Sequence, residues 1–185
     1  MEYLTPWITE IAHINVNDQF DMDLFASEVL ALHMATEGEH DHHFNAMAER
    51  YPVIFEMREH VITPAVKEFS KHSFGYEMDE FYVETNGKWI PAGEGLYPHL
   101  HPGSVISAIC YPADSDNALN MFDPRGNAAR GYPKTMRQNH FGNLRISPRR
   151  GDIYIFPSYI NHSVSHVTDD IRLSLLHEYY VTKSL

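Results

Sequence analysis

A change of texture near residue 79 restricts this chain most. From there to residue 181, short apolar or alternating segments succeed one another, at 81–85, 88–91, 105–111, 117–122, 144–147, 153–156, 163–167 and 171–181. Gly, Pro, Asn or Asp separates them, as in Asn86-Gly87, Asp123-Pro124 and Gly151-Asp152. Strand-length segments cut by turn residues at short intervals build a sandwich or a jelly roll, not a helical bundle. The first two segments, joined by Asn86-Gly87, carry the pattern of a two-residue hairpin.

Residues 1–78 read differently. A strand is expected over 7–16, where apolar and polar residues alternate. Asp21 or Asp23 is placed to cap a helix starting near Leu24, with Phe25, Val29 and Leu32 among the residues at helical spacing. A second helical stretch is expected at 43–49. A third spans 53–72, broken near Thr63 because Pro64 cannot continue the hydrogen-bond ladder. The expected domain is therefore one unit, 1–185: a largely helical part, 1–78, packed on a β core, 79–181. Its 185 residues suit one core, and its 43% hydrophobic content is that of a globular chain.

Within the β part the histidines stand out. His99 and His101 lie two residues apart, ahead of Pro102-Gly103, and strand alternation would turn both imidazoles to one side. With 13 histidines in the chain such a pair arises readily by chance. The weight comes from residues farther along the chain: His162 after a long gap, then Arg172 and Ser174 inside an apolar run. An arginine there needs a buried anion. Imidazoles converging from distant segments make a metal site, suited to Fe, Zn, Cu or Ni. A rival cluster at 37–43, rich in Glu and His, sits on a polar Gly-containing stretch and reads better as a solvated connection.

Net charge is −11, which disfavours a nucleic-acid surface. The balance is uneven. Half of the 14 lysines and arginines fall between Met121 and Arg150, where the one acid is Asp123. Arg125, Arg130 and Arg137 are the expected substrate rim, facing an acidic ligand. No apolar run approaches the length of a membrane span, and the N-terminal residues lack the basic-then-apolar order of a secretory signal. Cys110 is single and sits in an apolar segment, where it reads as a buried small hydrophobe. The expected location is cytoplasmic.

Taken in order, His99-Leu100-His101-Pro102-Gly103-Ser104, then 107–111, Asp123-Pro124-Arg125, 151–158, His162 and Arg172-Leu173-Ser174 resemble the iron(II)- and 2-oxoglutarate-dependent oxygenases over residues 80–181. The resemblance implies a double-stranded β-helix, a cupin-like jelly roll that is mainly β with N-terminal helices. It implies a dioxygenase using Fe(II), 2-oxoglutarate and O2 to hydroxylate a C–H bond of a small-molecule or peptidyl substrate. His99 and His162 match metal ligands. Arg172 and Ser174 match the residues that hold the far carboxylate of 2-oxoglutarate, with Tyr111 as a further partner. A homodimer is compatible with it. The family's usual second ligand is a carboxylate, and here that position holds His101. Three outcomes are open: His101 ligates, Glu94 or Asp123 replaces it, or metal binding is lost. A cupin-type three-histidine metalloenzyme without 2-oxoglutarate and a non-catalytic jelly-roll binding module are the alternatives.

Overall fold

The computed structural model describes residues 9–36, 48–116, 118–126, 130–135, 142–168 and 171–182. Among these described residues, nine strands form two antiparallel sheets. Strands β1 (Ala12–Asn15), β7 (Asp152–Pro157), β4 (Ile106–Cys110), β9 (Ile171–Val181) and β2 (Phe81–Pro91) make the first, in that spatial order. Strands β3 (Leu96–His99), β8 (His162–Val164), β5 (Leu119–Met121) and β6 (Leu144–Ile146) make the second. The two sheets face each other as a mainly β jelly roll, with helices on the outer face of the larger sheet. The expected fold class holds.

Strand alternation sorts the larger sheet into two faces. Ile106, Ala108, Cys110, Ile153, Ile155, Leu175 and Tyr179 point to the helices and join one buried cluster. Ile109, Tyr111, Tyr154, Phe156 and Leu176 point inward and pack with Leu119 and Met121 of the smaller sheet. Cys110 is buried as expected, and burial pushes its thiol pKa upward. The continuous apolar runs in β4 and β7 are thus strands covered on both faces.

Helix α1 (Met22–Thr36) starts where Asp21 Oδ1 accepts from the backbone N–H of Leu24 at 3.0 Å. Phe25, Val29 and Leu32 are its buried stripe, whereas Leu24 and Met34 are exposed. Helix α2 (Pro52–Met57) is capped from a distance: the buried Glu28 carboxylate accepts from the N–H groups of Val53 and Ile54. A π-helical turn, Arg58–Ile62, then leads into α3 (Thr63–Phe74). The expected break at Pro64 is this wide turn, which makes room for the proline ring where a regular helix would clash with the carbonyl four residues back. No described helix is long and apolar enough to cross a membrane.

The hairpin expected at Asn86-Gly87 does not form. β2 runs straight through both residues and pairs with β9 along its length, Asn86 opposite Leu176 and Gly87 opposite Leu175. The glycine serves packing instead. A Cβ at Gly87 would stand 2.6 Å from the Val29 carbonyl oxygen, so α1 crosses β2 backbone to backbone at this point. The strand expected at 7–16 is confined to Ala12–Asn15 among the described residues. The 43–49 helical stretch and the 37–43 cluster lie almost wholly outside the described residues.

Candidate metal centre

His99 ends β3 and His162 opens β8, and the two are direct partners in the antiparallel register. This pairing brings residues far apart in sequence to one place. His101 arrives differently. It lies beyond β3, in the turn closed by Pro102-Gly103, so strand alternation is not what aims it. Its backbone N–H donates to the Ser158 carbonyl at 3.2 Å, and Ser158 N–H donates to Val105 O at 3.1 Å. Gly103, at φ +94°, allows the reversal between them. The loop is thereby clasped against the end of β7, and His101 is carried to His162.

The candidate ligand atoms of the three histidines lie within 4.8 Å of one another. Each ring nitrogen that faces away has an oxygen beside it. His99 Nδ1 is 2.7 Å from the Tyr97 carbonyl and His162 Nδ1 is 3.0 Å from the Ile160 carbonyl. His101 Nδ1 is 3.1 Å from Glu178 Oε1. Carbonyl acceptors place the Nδ1 protons of His99 and His162, and the Glu178 carboxylate beside His101 Nδ1 favours the same tautomer there, which leaves the Nε2 lone pairs for the centre. His101 Nε2 and His162 Nε2 face each other at 3.3 Å, close enough for one cation to take both. Burial, helped by the neighbouring histidines and Arg172, holds the His162 pKa down at about 4 although the bond to the Ile160 carbonyl raises it. His162 is therefore neutral at pH 7, the form that ligates.

Glu94 and Asp123 stay outside this cluster. Asp123 is engaged by Arg125, whose Nε donates to it at 2.8 Å and whose hydrogen bonds hold the carboxyl below its usual range. Among the described residues, the three-histidine set is the one that converges.

Beside the histidines is a cavity of about 60 Å³, bounded in part by Ile109, Leu119 and Leu176. Arg172, Ser174, Tyr111 and Lys88 line it as well. Arg172 is 3% exposed, and its Nη2 donates to the Tyr111 hydroxyl at 3.0 Å. Its Nε is buried with no hydrogen-bond partner. An orphaned guanidinium N–H in an apolar wall is a place for an anion. Burial raises the Tyr111 phenol pKa although Arg172 acts the other way, so Tyr111 keeps its proton and can donate it. A larger cleft of about 600 Å³ lies on the helix side of the sheet, by Phe74, Val105 and Tyr159, and contains none of these groups. Chemistry, not volume, identifies the smaller cavity.

The arginine-bearing segment is less assembled. Arg125 faces Asp123, Arg130 is exposed, and Arg137 lies outside the described residues. Two residues escape a reading of the sequence. Lys88 stands opposite Ser174 in the β2–β9 register, and Glu178 shares the inward face of β9 with Arg172 and Ser174. A signal for Glu178 exists: a carboxylate at even spacing from Arg172 in an apolar run needs a buried partner. Lys88 is hidden by the hairpin pattern, which places it in a returning strand.

Residues 88–177 match the family model described as "Putative 2OG-Fe(II) oxygenase". No curated protein sequence matches the chain. Among solved structures, the chain is similar to an oxidoreductase of the 2OG-Fe(II) oxygenase family from Burkholderia pseudomallei, at 16% identity and TM-score 0.50. That match covers 70% of this chain and spans 57% of the other's length. It is similar to a Pseudomonas putida prolyl-4-hydroxylase at 15% identity and TM-score 0.56, with 96% and 88% of the two chains covered. It is also similar to the epimerase SnoN in complex with Fe3+, alpha ketoglutarate and nogalamycin RO, at 15% identity and TM-score 0.64, with 94% and 79% covered.

Proposed function

With residues 88–177 belonging to the 2-oxoglutarate- and iron(II)-dependent oxygenases, we propose that this chain is a dioxygenase that hydroxylates a C–H bond of a small-molecule or peptidyl substrate. His99, His101 and His162 hold Fe(II). Arg172, Ser174 and Tyr111 hold the far carboxylate of 2-oxoglutarate. When bound, Fe(II) and 2-oxoglutarate supply the activation of O2, with release of succinate and CO2. The observation that carries this reading is the buried, unpartnered Arg172 Nε beside three convergent imidazoles.

The chain's own groups prepare the site. The Tyr97 and Ile160 carbonyls fix the tautomers of His99 and His162, and the charge of Glu178 beside His101 Nδ1 favours the same one, so the imidazoles present Nε2. The guanidinium and the Tyr111 hydroxyl are already joined, so an incoming carboxylate meets oriented donors. Ile109, Leu119 and Leu176 keep water from the gap between anion donors and histidines. An acidic substrate reaching for Arg125 would have to displace the Asp123 carboxylate, which places the choice of substrate partly in that turn.

The test is anaerobic loading with Fe(II), addition of 2-oxoglutarate, and visible absorbance, with His99→Ala in parallel. One iron per chain and a new band on adding 2-oxoglutarate, both lost in the variant, are expected. Iron binding without the band would point to a three-histidine metalloenzyme that does not use 2-oxoglutarate. Neither signal would point to a non-catalytic module.

A further inference from the structure

Glu178 is not among the converging ligand atoms, yet it reaches the centre through His101. Its side chain and that of His101 are each 12% exposed, and Oε1 stands 3.1 Å from Nδ1. The other two histidines turn Nδ1 to neutral backbone carbonyls. His101 alone turns it to a charge, and His101 alone occupies the position where a directly bound carboxylate is usual.

The setting of Glu178 argues against a role in holding the sheet. Directly opposite it on β2 is Glu84. Like charges facing each other across a ladder destabilise the pair. The Tyr180 hydroxyl lies 3.1 Å from Glu84 Oε2 and 3.4 Å from Glu178 Oε1, one proton shared between two carboxylates. A carboxylate kept in that company needs a reason beyond packing, and the His101 imidazole is the partner that supplies it.

We infer that Glu178 is a positioning residue that carries the displaced carboxylate of this centre. It holds His101 with Nε2 toward the metal and supplies, from behind the imidazole, the negative charge that a carboxylate ligand would supply directly. The inference rests on the reading of His99, His101 and His162 as metal ligands.

A double-variant cycle read by metal binding tests it. Co(II) is titrated into apoprotein for the unaltered chain, Glu178→Gln, His101→Asp and the pair combined. In the unaltered background Glu178→Gln weakens Co(II) binding by about 10–100-fold. In the His101→Asp background the sign reverses, because Asp now ligates and Glu178 faces it as a like charge; Glu178→Gln there leaves binding equal or tighter. Thermal unfolding of apo Glu178→Gln shows no loss of stability, since the repulsion with Glu84 is relieved. A loss of the same size in both backgrounds, or a fall in apo stability that matches it, overturns the inference and makes Glu178 structural. No effect in the unaltered background overturns it as well. Absence of Co(II) binding by the unaltered chain removes the metal reading itself. Binding of Co(II) without any response to 2-oxoglutarate removes the co-substrate reading and leaves Glu178 in place.

Discussion

Arg172 sits in an apolar wall with one guanidinium N–H unmatched, a state that costs free energy until an anion arrives. Replacing it with methionine, close in volume, removes that unmatched group along with the donor to Tyr111. Arg172→Met is therefore expected to leave the unfolding midpoint of the apoprotein within about 1 kcal/mol of the original, on either side. The same change weakens 2-oxoglutarate binding by about 30-fold or more, the loss typical of truncating one partner of a buried charged pair. Urea unfolding and anaerobic titration measure the two effects separately. At this level the sequence is largely legible. His99, His101, His162, Arg172 and Ser174 stand out by type and order, and they converge. The placing of His101 is the exception: a turn clasped to Ser158 aims it, not strand alternation. No local pattern announces such a clasp, because its two halves lie far apart in the chain.

The longest strands, β2 and β9, pair along their whole length, and α1 lies across β2 at Gly87. Gly87→Ala puts a methyl 2.6 Å from the Val29 carbonyl and 3.0 Å from the His33 nitrogen, both backbone atoms that cannot swing aside. The expected loss is about 1–3 kcal/mol, measured as a lower urea midpoint with an unchanged slope. Asn-Gly misleads here because its turn preference is local, whereas an eleven-residue ladder and a helix seated on the glycine are not. Pro64 is legible as an interruption, since its effect on the helix is carried by its own ring. The capping of α2 by Glu28 is not legible, because it joins two helices through a side chain.

The helix side of the larger sheet also buries His177. Its Nδ1 is 2.9 Å from Thr85 Oγ1 and its Nε2 has no partner. Burial, aided by the charge of Arg58, holds its pKa down at about 3. An unfolded chain takes a proton on this histidine near pH 6.5, and the folded chain does not until about pH 3. The stabilisation from keeping His177 neutral is whole above pH 6.5 and drains away as pH falls toward 3. Near pH 5 the loss from this one group is roughly 2 kcal/mol. Urea midpoints of apoprotein between pH 7 and 5 should fall accordingly, and His177→Phe should flatten that slope whatever it does to stability at pH 7. The division of the chain into a helical part and a β part is visible from composition and periodicity. That the described helices cover one face of the larger sheet is not, since nothing in a strand's sequence says which sheet lies over its other face.

β9 carries Arg172 and Ser174 toward one end of its inward face and Glu178, through it His101, toward the other. It is held by β2 along one edge and by β4 along the other, so it has almost no play along its axis. Such a strand is a ruler. On the proposed reading its markings are the carboxylate anchor and the support of a metal ligand, and the spacing of the two along the chain is set by backbone rise. On that reading, a dicarboxylate held at Arg172 must reach the histidines by its own length: one methylene too few leaves an end unheld, and one too many has no slack to borrow.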